Sequence, residues 1–516
     1  MNDTALLRLE DINKSFGPVH ALKDVDLSLQ AKELHGLVGG NGAGKTTLMN
    51  VLYGLYKPDS GSITLRGQSV DIHSPKNAID YGIGMVHQHF LQVNEFTVAE
   101  NVVLGTHLPN RPTMDLSAAE QQIRDLSDHF GLNVEPGARI EDLPMGIRQR
   151  VEILKALYRG VDLLILDEPT THLTPQEVGH LFQSLKLMVG EGMSVVFITH
   201  KLREVMSVCH TISVLRDGQR IFTRPRDDVS EEMIVRSMVG ADVALEKSLL
   251  FSAAVEADRG IAPNAQLILD VDGLRVDGEA GPLVDDLSLA VHAGEILGIA
   301  GVAGNGQQEL LEAILGIRTA AAGSVQLDGQ DISAGSTAGR LGLGIAYVPQ
   351  DRQQDGFLPT ANVAQNLILG SQRRPPYSNR RGFLNWSSIY ETARDLIAEY
   401  SIRAQGPKET AANLSGGNIQ RVMLARAFSR PLRLLIAHNP TSGLDIPSVE
   451  SIYSRILEQK EQGVATLLVS EDMDELLLLS DRIAVVFRGK IAGILERAAF
   501  DRYEIGRLMS GVQADA

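Results

Sequence analysis

The chain has 516 residues, 44% hydrophobic and 22% charged, with a formal net charge of −16. Such a length exceeds one hydrophobic core and asks for roughly two or three domains. The acidic balance excludes a protein that coats nucleic acid through a broad basic surface. Its one cysteine, Cys209, rules out an internal disulfide and fits a reducing compartment.

The first four residues lack the basic-then-apolar pattern of a secretory leader. No apolar run is long enough to span a bilayer, and Leu476-Leu477-Leu478-Leu479 stops between Glu475 and Asp481. The pattern predicts a chain on the cytosolic side that meets a membrane only through partners. A β-type segment at 6–9 comes first, then an apolar run at 34–38, which reads as a buried strand. Directly after it stands Gly39-Gly40-Asn41-Gly42-Ala43-Gly44-Lys45-Thr46, followed by Thr47 and helical spacing to Leu52. This is G-x-x-x-x-G-K-[ST] between strand and helix, where it cradles phosphate. The glycines let successive N–H groups turn inward, and the helix N-terminus favours an anion. Lys45 would then reach the β- and γ-phosphates, and the Thr46 hydroxyl would hold Mg²⁺.

Two further apolar runs, at 163–166 and 195–199, read as central parallel strands buried on both faces. The first delivers Asp167 and Glu168, and the second His200, at the strand ends where open α/β sheets bind ligands. Asp167 is suited to Mg²⁺ and Glu168 to polarising the attacking water, because phosphoryl transfer needs positioning and charge. His200 is suited to sensing the γ-phosphate and orienting that water. Cys209 beside His210 has no further Cys or His pair at ligand spacing and reads as a buried structural thiol. A hairpin with Asp217-Gly218 at its turn follows. Periodicity then lapses around 241–265.

The second half repeats the first. Glu33-Leu34-His35-Gly36-Leu37-Val38-Gly39 returns as Glu295-Ile296-Leu297-Gly298-Ile299-Ala300-Gly301, an offset of 301 − 39 = 262. Asp167 to His200 is 33 positions, as is His438 to Glu471. A period of half the chain means a duplicated domain and not a solenoid. The boundaries follow as 1–245, a linker at 246–263, and 264–516. Inside the second half, Arg373-Arg374, Pro375-Pro376, Tyr377 and Arg380-Arg381 read as a solvated surface loop, with Trp386 as a packing residue.

The motifs together resemble the ATPase subunit of ABC transporters, with two ATP-binding cassettes fused in one chain. Leu414-Ser415-Gly416-Gly417-Asn418 is similar to that family's LSGGQ signature. The resemblance implies an α/β fold of two tandem P-loop cassettes. Each would have a mainly parallel sheet core, an antiparallel β subdomain and a helical subdomain carrying the signature. It places Gln88 at the glutamine that couples the γ-phosphate and Mg²⁺ to the membrane partner, and Phe16 at the aromatic that stacks on adenine. His87 and His89 then belong to that glutamine loop, with no third ligand for a metal. ATP contacts are implied for Phe16, residues 39–47, Gln88, Ser415, Gly416, Gly417 and Asn418, and Mg²⁺ contacts for Thr46, Gln88 and Asp167. More narrowly, the stretches at 84–90, 173–177 and 198–202 look like importers of sugars and nucleosides, the nucleoside branch especially. The partners implied are two transmembrane permease subunits at the cytoplasmic membrane face and, indirectly, an extracytoplasmic solute-binding protein; no nucleic acid is expected.

The halves depart from the pattern in opposite senses. Lys45-Thr46 becomes Gln307-Gln308, Asp167-Glu168 becomes His438-Asn439, His200 becomes Glu471, and Phe16 aligns with Gly278; only Gln350 survives, opposite Gln88. Without the lysine, the metal ligands and the carboxylate, the second pocket has no means of stabilising a phosphoryl-transfer transition state. The signature is intact in the second half, but the first reads Leu143-Pro144-Met145-Gly146. Head-to-tail packing, implied by the family, joins the intact P-loop to the intact signature and leaves both damaged elements together. A soluble tandem-cassette ATPase acting on ribosomes or nucleic acid would typically keep both sites and carry a long charged linker. A DNA-repair cassette protein would need zinc-type cysteine pairs, and a nucleotide-sensing scaffold has no use for a complete first site. Gly40 in place of the branch's usual glutamate, and Thr171-His172 before Leu173, are small departures.

Overall fold

In the computed structural model, residues 5–511 are described apart from 18, 41, 88–89, 107–114, 172, 200, 240–264, 280, 303, 443 and 445. The chain divides into two units, Met1–Ala244 and Leu245–Ala516. The linker expected at 246–263 lies outside the described residues.

The strands of the first unit are β1 Leu7–Phe16, β2 Val19–Leu29, β3 Leu34–Gly39, β4 Ser60–Leu65, β5 Gln68–Val70, β6 Ile83–Val86, β7 Leu163–Asp167, β8 Ser194–Ile198, β9 Thr211–Arg216 and β10 Gln219–Pro225. An antiparallel sheet has the order β2-β1-β4-β5, and the main sheet β10-β9-β3-β8-β7-β6. Within the main sheet β3, β6, β7, β8 and β9 run parallel, and β10 closes it as an antiparallel hairpin partner of β9. Every residue of β3, β7 and β8 is buried, as continuous apolar runs require of strands covered on both faces. Fully burying each such Leu, Ile or Val contributes about 1.5–3 kcal/mol.

Both halves of the antiparallel sheet outrun the short segments that alternation marks. Strand β1 continues past Leu9 through a bulge, where Asp11 takes φ 51° and its N–H donates to Asp26 Oδ1 at 2.9 Å. The helical part of the first unit spans Val98–Val103, Leu116–His129 and Met145–Tyr158. Thr97 and Glu100 form a capping box at its entry. A second capping box, Thr174 with Glu177 and Pro175 at the first helical position, starts the helix Pro175–Gly190 after β7.

The second unit repeats this plan with β11 Leu267–Gly278, β12 Gly281–His292, β13 Ile296–Ala300, β14 Ala322–Leu327, β15 Gln330–Asp331, β16 Ile345–Val348, β17 Leu434–His438, β18 Ala465–Val469, β19 Arg482–Phe487 and β20 Lys490–Glu496. Its sheets have the orders β12-β11-β14-β15 and β16-β17-β18-β13-β19-β20, the same arrangement strand for strand. Leu476–Leu479 lie in the short helix Met473–Leu479, and among the described residues no helix is long and apolar enough to cross a membrane. Cys209 is buried, and burial pushes its thiol far above the usual range, so it is an inert packing group.

Candidate functional site

In the first unit the loop after β3 is shaped by two glycines in the left-handed region, Gly42 at φ 77° and Gly44 at φ 101°. A Cβ on Gly44 would stand 2.7 Å from the Ala21 carbonyl oxygen and 2.9 Å from Leu22 Cδ2, so only glycine lets β2 pack against the loop. The turn of the β9–β10 hairpin braces the other side, Gly218 N–H donating to Ala43 O at 3.2 Å. Helix Lys45–Leu52 starts there with no side chain capping its first turn, so its leading N–H groups face the loop. The Lys45 ammonium is buried and donates to the carbonyls of Gly39 at 2.8 Å and Gly40 at 3.0 Å.

The strand ends supply the opposite charge. Thr46 Oγ1 donates to Asp167 Oδ2 at 3.2 Å, joining the loop to the end of β7. Glu168 follows at φ 49°, its N–H donating to Ile198 O at 2.9 Å, which ties β7's end to that of β8. Burial pushes the Asp167 carboxyl up, and the neighbouring Glu168 pushes it further. Burial likewise lowers the Lys45 ammonium, with Glu168 and Asp167 opposing it. An exposed hydroxyl, two adjacent carboxylates and a buried ammonium under a phosphate-cradling loop suit a hard cation and a polyphosphate together. Among the described residues no three His, Cys, Asp or Glu side chains gather into a metal site by themselves.

Phe16 closes the β1–β2 hairpin with its ring 43% exposed, backed edge-on by Tyr56 at 5.1 Å and by the Lys14 ammonium at 5.6 Å. The motif reading misses both supports: Tyr56 comes from the segment before β4, and Lys14 stands two residues back on β1 itself. Asn41, Gln88, His89, His172 and His200 lie outside the described residues. Glu204 is a second group that motif reading misses. It accepts hydrogen bonds from Thr170 Oγ1 at 2.8 Å and Thr199 Oγ1 at 3.2 Å, clamping the segments that follow β7 and β8. Its counterpart 271 positions on, Glu475, accepts from Thr441 Oγ1 at 2.7 Å, so the repeat register was the signal that could have exposed it.

In the second unit the loop backbone is retained, with Gly304 at φ 87° and Gly306 at φ 102°. The chemistry differs. Gln307 is buried where Lys45 stands and donates to Val302 O at 3.2 Å, while Gln308 is drawn along its own helix to Glu312 Oε1 at 3.0 Å. Asn439 takes φ 45° as Glu168 does, but its Oδ1 accepts from Glu471 N–H at 2.8 Å. Burial holds the imidazole of His438 down at about 4, with Glu471 opposing it, so it is neutral at pH 7. No carboxylate or cation stands at these equivalent positions of β17 and the loop.

The two signature segments also differ in structure. Pro144 precedes helix Met145–Tyr158 and offers no side-chain cap, and its carbonyl accepts from the N–H groups of Ile147 and Arg148 at 3.0 Å each. Ser415 precedes helix Gly416–Phe428 with its side chain and Gly416 exposed. Its hydroxyl is not spent on the helix backbone and accepts instead from Asn418 Nδ2 at 2.9 Å. Asn418 is itself buried, its Oδ1 accepting from Arg403 N–H at 2.9 Å. Within its own unit, then, Asn418 positions Ser415, while Ser415, Gly416 and the first helical N–H groups are presented outward.

Comparison with known proteins agrees with this geometry. The family model described as ABC transporter matches residues 22–171 and 284–442, once in each unit. A nucleoside import ATP-binding protein of Lactococcus lactis is 40% identical over 99% of this chain and 99% of its own length. A guanosine import ATP-binding protein of Bacillus subtilis is 42% identical over 98% of this chain and 97% of its own. A glucose import ATP-binding protein of Haloferax volcanii is 40% identical over 99% and 96%. With both units matched and relatives similar from end to end, this chain belongs to the ABC transporter family as a two-cassette ATPase.

Proposed function

We propose that the chain energises an importer of nucleosides, or failing that of pentose-type sugars, hydrolysing ATP at one of its two nucleotide sites. The observation that carries this is the asymmetry between the units. Lys45, Thr46, Asp167 and Glu168 stand together in the first, and Gln307, Gln308, His438 and Asn439 stand in their places in the second. In the first site Lys45 and the loop N–H groups hold the phosphates, Phe16 stacks on the base, and Glu168 with His200 orients the attacking water. Thr46, Asp167 and Gln88 would hold Mg²⁺, which when bound would supply positive charge to the phosphates. The sorting of losses supports pairing the first P-loop with Ser415, Gly416 and Gly417. Both damaged elements then fall in the other site.

The nucleoside reading is supported by the relatives that act in nucleoside and guanosine import, and the glucose relative keeps the sugar reading as its alternative. Two permease subunits would hold the protein at the cytoplasmic membrane face, with a solute-binding protein acting on the far side. The soluble runner-up, acting on ribosomes or nucleic acid, has no support from the −16 charge. The test is Glu168→Gln. It preserves shape but removes the negative group that orients water, so the assembled transporter should bind ATP and retain it unhydrolysed. Asn439→Glu, alone, should restore no turnover in the second pocket. Substantial hydrolysis by Glu168→Gln would move the catalytic role elsewhere.

A further inference from the structure

The second unit carries a basic stretch that the ATPase chemistry does not use. Residues 371–390 hold Arg373, Arg374, Arg380 and Arg381 and no acidic residue, in a chain of net charge −16. The segment between helices Val363–Leu367 and Trp386–Glu399 is 18 residues long (368–385), against 12 (104–115) in the first unit, where it contains one arginine.

The loop is a built hairpin and not a slack connection. Ser378 pairs with Leu384, Asn385 N–H donates to Tyr377 O at 2.8 Å, and Asn379 N–H donates to Phe383 O at 3.1 Å. The Asn379 side chain ties the tip, its Oδ1 accepting from the N–H groups of Arg381 at 2.9 Å and Phe383 at 3.1 Å. At the base Tyr377 and Tyr390 pack on the unit's hydrophobic core. What the hairpin presents is unusual for a solvated loop. Phe383 is 69% exposed, Leu384 and Trp386 are each 40% exposed, and all four arginines are exposed. Among the described residues none of the four forms an ion pair, and Arg374 alone makes a side-chain hydrogen bond, to Gly342 O at 3.1 Å. Lys408 sits over the Tyr390 ring at 5.2 Å, adding a fifth cation beside the hairpin.

We propose that this hairpin docks on an anionic lipid surface, the arginines pairing with headgroup phosphates and Phe383, Leu384 and Trp386 entering the interfacial region. Guanidinium forks suit phosphate oxygens, and amphipathic aromatic rings settle at the headgroup level of a bilayer. Charge complementarity favours such a surface. The chain as a whole is repelled by an anionic membrane, and this patch is attracted to it. A nucleic acid is the less favoured occupant, because the Trp386 ring already has a face stacked on Tyr390 at 5.6 Å and 29°, which limits it as a base-stacking platform. The inference rests on the reading of the chain as a membrane transporter's ATPase, and adds a lipid contact to attachment through permeases.

Trp386 is the only tryptophan of the chain, so its emission reports this hairpin alone. The purified full chain, without permeases, is mixed at low salt with phosphatidylcholine vesicles containing or lacking phosphatidylglycerol. Cosedimentation with the anionic vesicles, a blue shift of Trp386 emission and its quenching by brominated phosphatidylglycerol are expected, all weakening as salt rises. Arg380→Gln with Arg381→Gln should weaken vesicle partitioning by roughly 25-fold, at about fivefold per arginine, with thermal stability and ATPase activity unchanged. Phe383→Ser should reduce binding while leaving its salt dependence. Four results would overturn the inference: no sedimentation with anionic vesicles, equal binding of the double variant, binding without quenching, or displacement of the vesicles by RNA at equal phosphate. Since the vesicles contain no permease, such a failure leaves the transporter reading standing, and failure of that reading leaves the vesicle result intact.

Discussion

Replacing Glu475 by glutamine should make the second unit markedly more stable at pH 8 and change little at pH 5. Glu475 is fully buried in helix Met473–Leu479, and burial, aided by Asp472, pushes its carboxyl up to about 7; the hydroxyls of Ser470, Thr441 and Tyr453 pull the other way. In the unfolded chain the same group titrates near 4.3. Between those values the folded state keeps a proton that the unfolded state has released, so stability falls as pH rises. The contribution is fully present below the unfolded value and lost above about pH 7, a change of about 4 kcal/mol in all, of which about 3 kcal/mol falls between pH 5 and pH 8. Glutamine stays neutral throughout and keeps an oxygen to accept from the Thr441 hydroxyl, which lies 2.7 Å from Glu475 Oε1. Its amide nitrogen takes the place of Oε2, which has no hydrogen-bond partner among the described residues, so the exchange breaks no existing bond. For a unit of this size about 2–4 °C accompany each kcal/mol, so the wild-type transition should drop relative to the variant by roughly 6–12 °C between pH 5 and pH 8. Calorimetry of the full chain across that range reads it directly. Parallel pH curves, or a variant less stable than wild type at pH 8, would refute the reasoning.

Gly44→Ala and Gly306→Ala impose the same fault at equivalent places, φ 101° and φ 102°, where an L-residue costs about 1–2 kcal/mol before any overlap with Ala21 O or Leu283 O. Both should lower thermal stability by several degrees, but only Gly44→Ala should also cut ATP turnover steeply; equal losses of turnover would contradict the assigned roles. Ser415→Pro removes a hydroxyl and an N–H and should abolish hydrolysis in the folded transporter, whereas Pro144→Ser should leave turnover unchanged, with thermal melts run alongside to exclude unfolding. Normal turnover in a folded Ser415→Pro protein would mean that the second signature does not serve the first P-loop.

Much of the fold was legible because its signals are local. Buried parallel strands announce themselves as apolar runs, and β7, β8, β17 and β18 stand at those runs. The P-loop is spelled by residues that must be contiguous to make the turn. The antiparallel strands were half legible: a β-type segment marked 6–9, and the bulge at Asp11 breaks the period that pattern reading follows, although the strand continues to Phe16. Tertiary hydrogen bonds were not legible. Thr170 and Glu204 are 34 positions apart, and only the pairing of β7 with β8 brings their segments together. Asn418, placed on the nucleotide by its position in the signature, engages both ends of its amide inside its own unit, a choice set by Arg403 and Ser415. The arginine-rich stretch gave its charge to the sequence reading but not its hairpin, because that shape depends on one asparagine side chain bonding the backbone around it.

The central claim is that the two P-loops, alike in backbone, differ in chemistry. Lys45→Ala and Gln307→Ala, each in the assembled transporter, test it in one assay of ATP hydrolysis. Losing the Lys45 charge should reduce turnover by about a hundredfold or more, since a preorganised cation at the phosphates is removed. Gln307→Ala removes only a bond to the Val302 carbonyl, and most of the activity should remain. Equal losses in the two variants, or full activity in Lys45→Ala, would contradict hydrolysis at a single site.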